Sequence, residues 1–559
     1  MSEPGSPAAD RRRLLDQLYG PKRSGALTSQ VEALLAAERP RRRSAGWWDQ
    51  RDLWVIAYPD QFITSGEAPL ATLARFHARH LAPWVNGLHV LPFVTWSSDD
   101  GFAVTDYESV DERYGTWEDI ERLAAQVRLM ADLVLNHLSS ESLWFAGFLA
   151  GDPQFAGFFR TTDPYADLSL TVRPRTSDLL TRFDSAGGAK WVWTTFSADQ
   201  VDLDYRNPAV LVRVLKVLLA YVRHGIDVIR LDAVAFLWKQ EGTPSIHLPA
   251  THAVIQFLRR CLDEVAPDVV LVTETHVPHH ENIAYFGTPS GREAHAVYQF
   301  ALPPLVLDAF TSGDATTLAQ WARSLRFDGT DTTFMNFLAS HDGVGMRAAE
   351  GLLSETAISA LGDLAQRAGG GVGWRTAQGG ERTLYELNST WFDLMAAGHD
   401  EHDAVRRHLA AHAIMLAMRG IPLLYVHSLF ASDNDLALVQ HTGRQRSVNR
   451  ARFDDVGALE AKLESRASRE AKVFEGISCM ARWRAGCPAF HPDSPQRVLD
   501  TVPAIFAVER GQPDGKRARV YVNVSGQAAE ASTGRQRLTL PPWSSAWCLP
   551  SHTDPLVLQ

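Results

Sequence analysis

The chain has 559 residues, 45% of them hydrophobic and 21% charged, with a formal net charge of −10. Such a length implies one large domain with appendages, and the composition excludes wholesale disorder. The acidic balance argues against nucleic acid or an anionic membrane as the main partner, and no window reads as a membrane span.

The first residues lack the apolar core of a signal peptide. The four cysteines, Cys261, Cys479, Cys487 and Cys548, are spaced neither for a metal site nor for a disulfide framework. A reducing, cytoplasmic setting is therefore expected. Residues 1–48 form a polar arm with helical spacing around Leu14, Leu15 and Leu18 and again around Val31, Leu34 and Leu35. Its basic runs at 11–13 and 41–43 read as solvated surface.

From residue 49 a short apolar strand, a turn and an amphipathic helix recur. Strands are predicted at 53–62, 87–94, 130–136, 225–234, 269–276, 296–302, 333–340 and 421–426, and helices at 70–80, 117–127, 210–223, 250–265 and 404–418. This alternation predicts an α/β fold, a (β/α)8 TIM barrel over 49–478. An open doubly wound sheet would be expected to carry a Gly-rich phosphate turn after an early strand, and none is present. Two gaps, 138–204 after the third strand and 343–402 after the seventh, are too long for ordinary loops and are read as insertions over the barrel mouth. The glycines of 369–373 suggest mobility within the second. Beyond residue 478 short alternating strands, as at 504–509 and 518–524, predict a C-terminal all-β domain over 479–559.

The strand GIDVIRLDAV (225–234) places two charges in an apolar run. Arg230 and Asp232, two apart, share a face, and burying them costs several kcal/mol unless they pair or react. A guanidinium so close is expected to lower the carboxyl pKa, as a carboxylate nucleophile needs; a structural ion pair is the alternative. Acidic and imidazole groups recur where neighbouring strands end, at Asn136 and His137, at Glu274, and at His341 and Asp342, on the rim where barrels of this kind keep their chemistry. Adjacent strands lie about 4.8 Å apart, which suits the carboxyl pair about 5–5.5 Å apart of a retaining glycosyl transfer. Asp232 and Glu274 stand on consecutive strands, and the apolar residues before Glu274 would keep it protonated.

Four segments, ADLVLNH (131–137), GIDVIRLD (225–232), VTET (272–275) and FLASHD (337–342), together resemble the four short blocks of the α-amylase superfamily, glycoside hydrolase family 13. The resemblance covers roughly residues 50–550. It implies Asp232 as nucleophile, Glu274 as acid/base and Asp342 as transition-state stabiliser, with His137, Arg230 and His341 holding a glucosyl ring. A closer likeness, carried by VDERYGTW (110–117), DAVAFLWK (232–239), FALPP (300–304), HDGVG (341–345) and YELNST (385–390), is to the sucrose phosphorylase subfamily and its relatives acting on glucosylglycerate and glucosylglycerol. By that likeness Asp99 and Phe102 line the glucosyl subsite and Arg446 anchors the same sugar. His276, Tyr385 and one of Arg173 or Arg175 contact acceptor or phosphate. No metal and no cofactor are implied, inorganic phosphate being a co-substrate.

Three departures bear on specificity: Phe236 and Glu386 stand where sucrose phosphorylase has tyrosine and glutamine, and Arg347 follows the HDGVG block. With Arg444 and Arg446, Arg347 points to a carboxylate acceptor. The resemblance thus implies a retaining α-glucoside phosphorylase acting on glucosylglycerate or sucrose. The alternative is a hydrolase or transglycosylase on the same substrates. A non-catalytic sugar-binding barrel is disfavoured because all three carboxylates are present. Partners are expected to be a small sugar substrate and phosphate. The sequence does not indicate the oligomeric state or the role of the arm.

Overall fold

The computed structural model describes every residue except 1–6, 42–45, 327–330, 377–381, 513–514, 533–536 and 559. Eight strands close into a barrel: β1 (Trp54–Ala57), β2 (Gly87–Val90), β3 (Arg128–Val134), β4 (Val228–Asp232), β5 (Val270–Thr273), β6 (Ala296–Tyr298), β7 (Thr333–Phe337) and β8 (Ile421–Tyr425). Each pairs in parallel with its sequence neighbours, and β8 closes on β1. Buried on both faces, these strands read as continuous apolar runs, which is why all eight were legible.

Two helices of the arm, α1 (Pro7–Tyr19) and α2 (Pro21–Ala36), bury Leu14, Leu15, Leu27, Val31 and Leu35. They pack on α3 (Pro208–Arg223) and α4 (Pro249–Val265), the helices flanking β4. The arm corrects one expectation. Arg11 is buried and ion-paired with Glu264, and Arg41 binds Asp227 at 2.9 Å and Asp268 at 2.7 Å, beside the starts of β4 and β5. These arginines fasten the arm to the barrel because a long stem lets a guanidinium cross between helices. Arg42 and Arg43 lie outside the described residues.

Both insertions carry structure of their own. The first forms the strand Gln200–Asp202, antiparallel to His137–Ser139, and the hairpin Leu180–Phe183 with Lys190–Trp193. In the second, a helix (Glu355–Arg367) precedes the paired strands Gly371–Thr376 and Arg382–Asn388. The glycine run therefore enters a regular strand. A Cβ on Gly370 would strike the Asn388 carbonyl, one on Gly371 the Gln445 side chain, and one on Gly373 would sit 2.8 Å from Glu386 Cγ. Close approach is what requires glycine there.

The helix α5 (Arg469–Ala485) runs through the boundary expected at 478/479, so the C-terminal sheet starts after it. That sheet has five antiparallel strands, β9 (Gln496–Val498), β10 (Ile505–Arg510), β11 (Ala518–Asn523), β12 (Ser545–Cys548) and β13 (Leu556–Leu558). Two fully buried guanidiniums tie it to the barrel floor. Arg484 donates to the carbonyls of Asp52 (3.0 Å) and Gly420 (3.1 Å), and Arg510 to those of Ala417 (3.1 Å), His491 (2.9 Å) and Ser494 (3.2 Å). Among the described residues no helix is long and apolar enough to cross a membrane.

Candidate active site

Where the strands end, one pocket gathers Asp99, Phe102, His137, Arg175, Asp232, Glu274, His276, His341, Asp342, Arg347, Tyr385 and Arg446. Arg230 lies directly beneath. Its Nη1 donates to Asp232 Oδ1 at 2.9 Å and also to Asp132 Oδ1 on β3. Asp132 Oδ2 is 2.8 Å from His89 Nε2 on β2, and the other His89 nitrogen is 3.3 Å from the Tyr298 hydroxyl on β6. The register sets this chain of contacts: Arg230 stands beside Asp132, and His89 and Asp132 point inward from adjacent strands.

This sharing alters the expected electrostatics of Asp232. Burial, with the charges of Glu274, Asp132 and Asp342, pushes its carboxyl well above the usual range against the pull of Arg230. Asp132 is held at about 2, because Arg230 and His89 outweigh its burial. Arg230 pulls the Asp232 carboxyl down, but burial and the three neighbouring carboxylates outweigh it. Glu274 is also raised, by burial and by Asp342. Its backbone N–H donates to the Leu231 carbonyl at 3.2 Å, and its Oε2 accepts the Ala233 N–H at 3.1 Å, which sets it next to Asp232. Of these two carboxyls, only Asp232 is ion-paired among the described residues, to Arg230 Nη1 at 2.9 Å.

Asp342 differs. Arg446 donates to it, His341 Nε2 lies at 3.5 Å and Arg450 Nη2 at 3.6 Å, and against burial these hold its carboxyl far below the usual range. Arg446 also grips Glu386 through two hydrogen bonds, 3.0 and 2.7 Å, with Arg175 4.0 Å away. The charge of Glu386 is thereby balanced.

Within the pocket Phe102 stacks on His341 with ring centroids 4.8 Å apart. His137 Nε2 is 2.9 Å from the Phe102 carbonyl. Burial, reinforced by Arg450 and Arg230, lowers His341 to about 3, so its ring is neutral. His276, Arg347, Arg175, Tyr385 and Phe236 also line the pocket. The His276 ring sits between Phe300 (5.3 Å) and Tyr385 (4.8 Å) and is lowered to about 3 by burial and Arg347. Among the described residues its Nε2 has no hydrogen-bond partner, nor has Nε of the buried Arg347. Of the two candidate arginines, Arg175 lines the pocket, whereas Arg173 donates to the Ser177 carbonyl on the exposed loop.

Two pocket residues, Gln200 and Phe196, and one beside the pocket, Arg450, escaped the sequence reading. Gln200 donates toward Asp99 Oδ2 (3.3 Å) and lies 3.2 Å from His137 Nε2. Phe196 packs edge-on against Phe236 at 5.5 Å. Arg450, in the same segment as Arg446, donates to Asp100 Oδ2 at 2.6 Å and lies 3.8 Å from Asp99. A charged residue following an apolar, Asn-containing turn was the available signal for Arg450; nothing in the sequence marked Gln200.

Comparison with known proteins resolves the lineage. A family model described as alpha amylase, catalytic domain, matches residues 84–348. A glucosylglycerate phosphorylase of Allomeiothermus silvanus is 44% identical over 543 residues, covering 95% of this chain and 97% of its own. The chain belongs to the α-amylase family. A second family member, a glucosylglycerate phosphorylase of Escherichia coli, is 39% identical over 552 residues, covering 95% of this chain and 98% of its own. The α-amylase-family fold is shared with the crystal structure of sucrose 6F-phosphate phosphorylase from Thermoanaerobacter thermosaccharolyticum. That match has a TM-score of 0.74 at 22% identity and covers 88% of this chain and 98% of the other.

One position in this α-amylase-family pocket is fixed by contact alone. A Cβ on Gly345 would overlap His276 Nε2, and that ring is wedged between Phe300 and Tyr385. Gly345→Ala is expected to lower kcat/KM about 10- to 100-fold with little change in melting temperature. Wild-type kcat/KM in this variant would show that His276 can swing aside at no cost.

Proposed function

We propose that the chain is a retaining phosphorylase that moves the glucosyl unit of glucosylglycerate to inorganic phosphate, giving α-D-glucose 1-phosphate. The observation that carries this is the identity to glucosylglycerate phosphorylases over nearly the whole chain. The pocket supports it. Asp232, kept anionic by Arg230 once the proton sits on Glu274, attacks the anomeric carbon as Glu274 protonates the departing glycerate oxygen. Glu274 then takes a proton from phosphate, whose oxygen displaces Asp232 from the glucosyl carbon. Asp342 supplies fixed negative charge beside the developing oxocarbenium ion. Asp99, Phe102, His137 and His341 hold the sugar. Arg347, with nitrogen to spare in a buried position, and Arg175 receive an anionic partner, either the glycerate carboxylate or phosphate.

Transfer to water is not favoured. The negative charge that might have repelled phosphate, on Glu386, is neutralised by Arg446 and Arg175. The reaction as proposed needs no cofactor beyond phosphate as co-substrate. We also infer a cytoplasmic setting, for which the four unpaired thiols speak.

Purified protein given glucosylglycerate should release glucose 1-phosphate in proportion to added phosphate. Free glucose formed at the same rate with and without phosphate would overturn the reading.

The pair electrostatics fix a pH dependence. The reactive form carries one proton, on Glu274, whose carboxyl is raised by burial. Activity is present below that raised pKa and lost as pH rises through it, so the alkaline limb of kcat/KM should lie above the ordinary glutamate range. A limb within that range would contradict the assignment of Glu274 as the acid.

A further inference from the structure

Outside the reacting groups, Asp199 makes more side-chain contacts to loops of the pocket rim than any one function so far assigned requires. Its Oδ1 accepts from Ser139 Oγ (3.1 Å), Ser140 Oγ (2.7 Å) and the Ser140 backbone N–H (3.1 Å). Its Oδ2 accepts from Ser97 Oγ (2.7 Å) and from Ser98 Oγ. Ser97 Oγ also lies 2.6 Å from Ser139 Oγ, and the Ser140 N–H donates as well to the Asp199 carbonyl at 2.7 Å. Two of these serines lie just before Asp99 and Phe102 on the segment after β2, and two just after His137 on the segment after β3. Asp199 itself belongs to the first insertion and immediately precedes Gln200. One carboxylate thus joins three chain segments that carry sugar-side residues.

The geometry leads onward from the clamp to the pocket. The strand Gln200–Asp202 pairs with His137–Ser139, Ser139 opposite Gln200 and His137 opposite Asp202. The Gln200 amide reaches Asp99 Oδ2, the Phe102 carbonyl (3.4 Å) and His137 Nε2. Asp99 and Asp100 both hold positive φ, at 55° and 50°, a strained conformation for residues other than glycine that surrounding contacts must enforce. Hydroxyl donors on three sides keep Asp199 ionised against its partial burial, and charge-assisted hydrogen bonds of this kind are the strong ones.

We propose that Asp199 is a positioning residue for the glucosyl side of the pocket, locking the Asp99–Phe102 loop, His137 and Gln200 into one arrangement. It touches no reacting atom. Because it acts on the part of the site common to every glucosyl donor, it sets transfer from all of them alike, whatever group leaves, and leaves phosphate capture untouched. The inference rests on the glucosyl-transfer reading above.

Asp199→Ala and Asp199→Asn would be assayed with three donors, glucosylglycerate, α-D-glucosyl fluoride and α-D-glucose 1-phosphate, alongside the KM for phosphate. Asp199→Ala should lower kcat/KM by the same factor for all three donors, roughly 10- to 100-fold. The KM for phosphate should change by less than about twofold. Asp199→Asn, which keeps one acceptor oxygen and whose amide can donate to the rotatable hydroxyls, should recover part of the loss. Should the alanine variant fail to fold, the asparagine variant decides on the same pattern. A loss confined to one donor, a parallel rise in the KM for phosphate, or wild-type kcat/KM in both variants would overturn the proposal. A wild-type protein inactive with every donor would instead overturn the glucosyl-transfer reading, and this proposal with it.

Discussion

Arg230 is buried on β4 and donates from one nitrogen to two carboxylates, Asp132 on the neighbouring strand and Asp232 at the strand's end. Removing Arg230 would leave two carboxylates uncompensated in the barrel interior, and breaking a buried ion pair in this way costs about 3–5 kcal/mol. Burial and the neighbouring carboxylates outweigh the pull of Arg230, so Asp232 and Glu274 are both raised. The proposed reaction uses this pair as nucleophile and acid.

A second division of charge governs what may leave and what may enter. Arg446 joins Asp342 to Glu386, so neither carboxylate is left bare toward an incoming anion. Arg347 is not consumed in this way; among the described residues its Nη1 donates to the His276 carbonyl alone, at 3.4 Å. The neutral His276 beside it, packed between aromatic rings, adds no charge of its own.

Much of this was legible in the sequence because two-sided burial turns barrel strands into apolar runs, against which a charge such as Arg230, Asp232 or Glu274 stands out. Asp132 carried the same signal, two residues before a recognisable strand end, yet its pairing with Arg230 depends on register that no single strand reveals. Gln200, Phe196 and Asp199 were hidden because they sit in an insertion whose place over the mouth is decided by tertiary contacts with Ser97, Ser98, Ser139 and Ser140. The arm misled for a related reason. A run of arginines looks solvated until the helix it must cross is known, as Arg11 with Glu264 shows.

In the proposed reaction Asp232, set between Arg230 and Glu274, carries the glucosyl group between the two half-reactions. Rapid quenching of the enzyme with α-D-glucosyl fluoride in phosphate-free buffer, followed by peptide mass analysis, tests it directly. The expected result is one added anhydroglucose on the peptide containing Asp232, discharged when phosphate is supplied before the quench. Label on another carboxylate, or turnover of the fluoride with no trapped ester under conditions where phosphate is limiting, would contradict it.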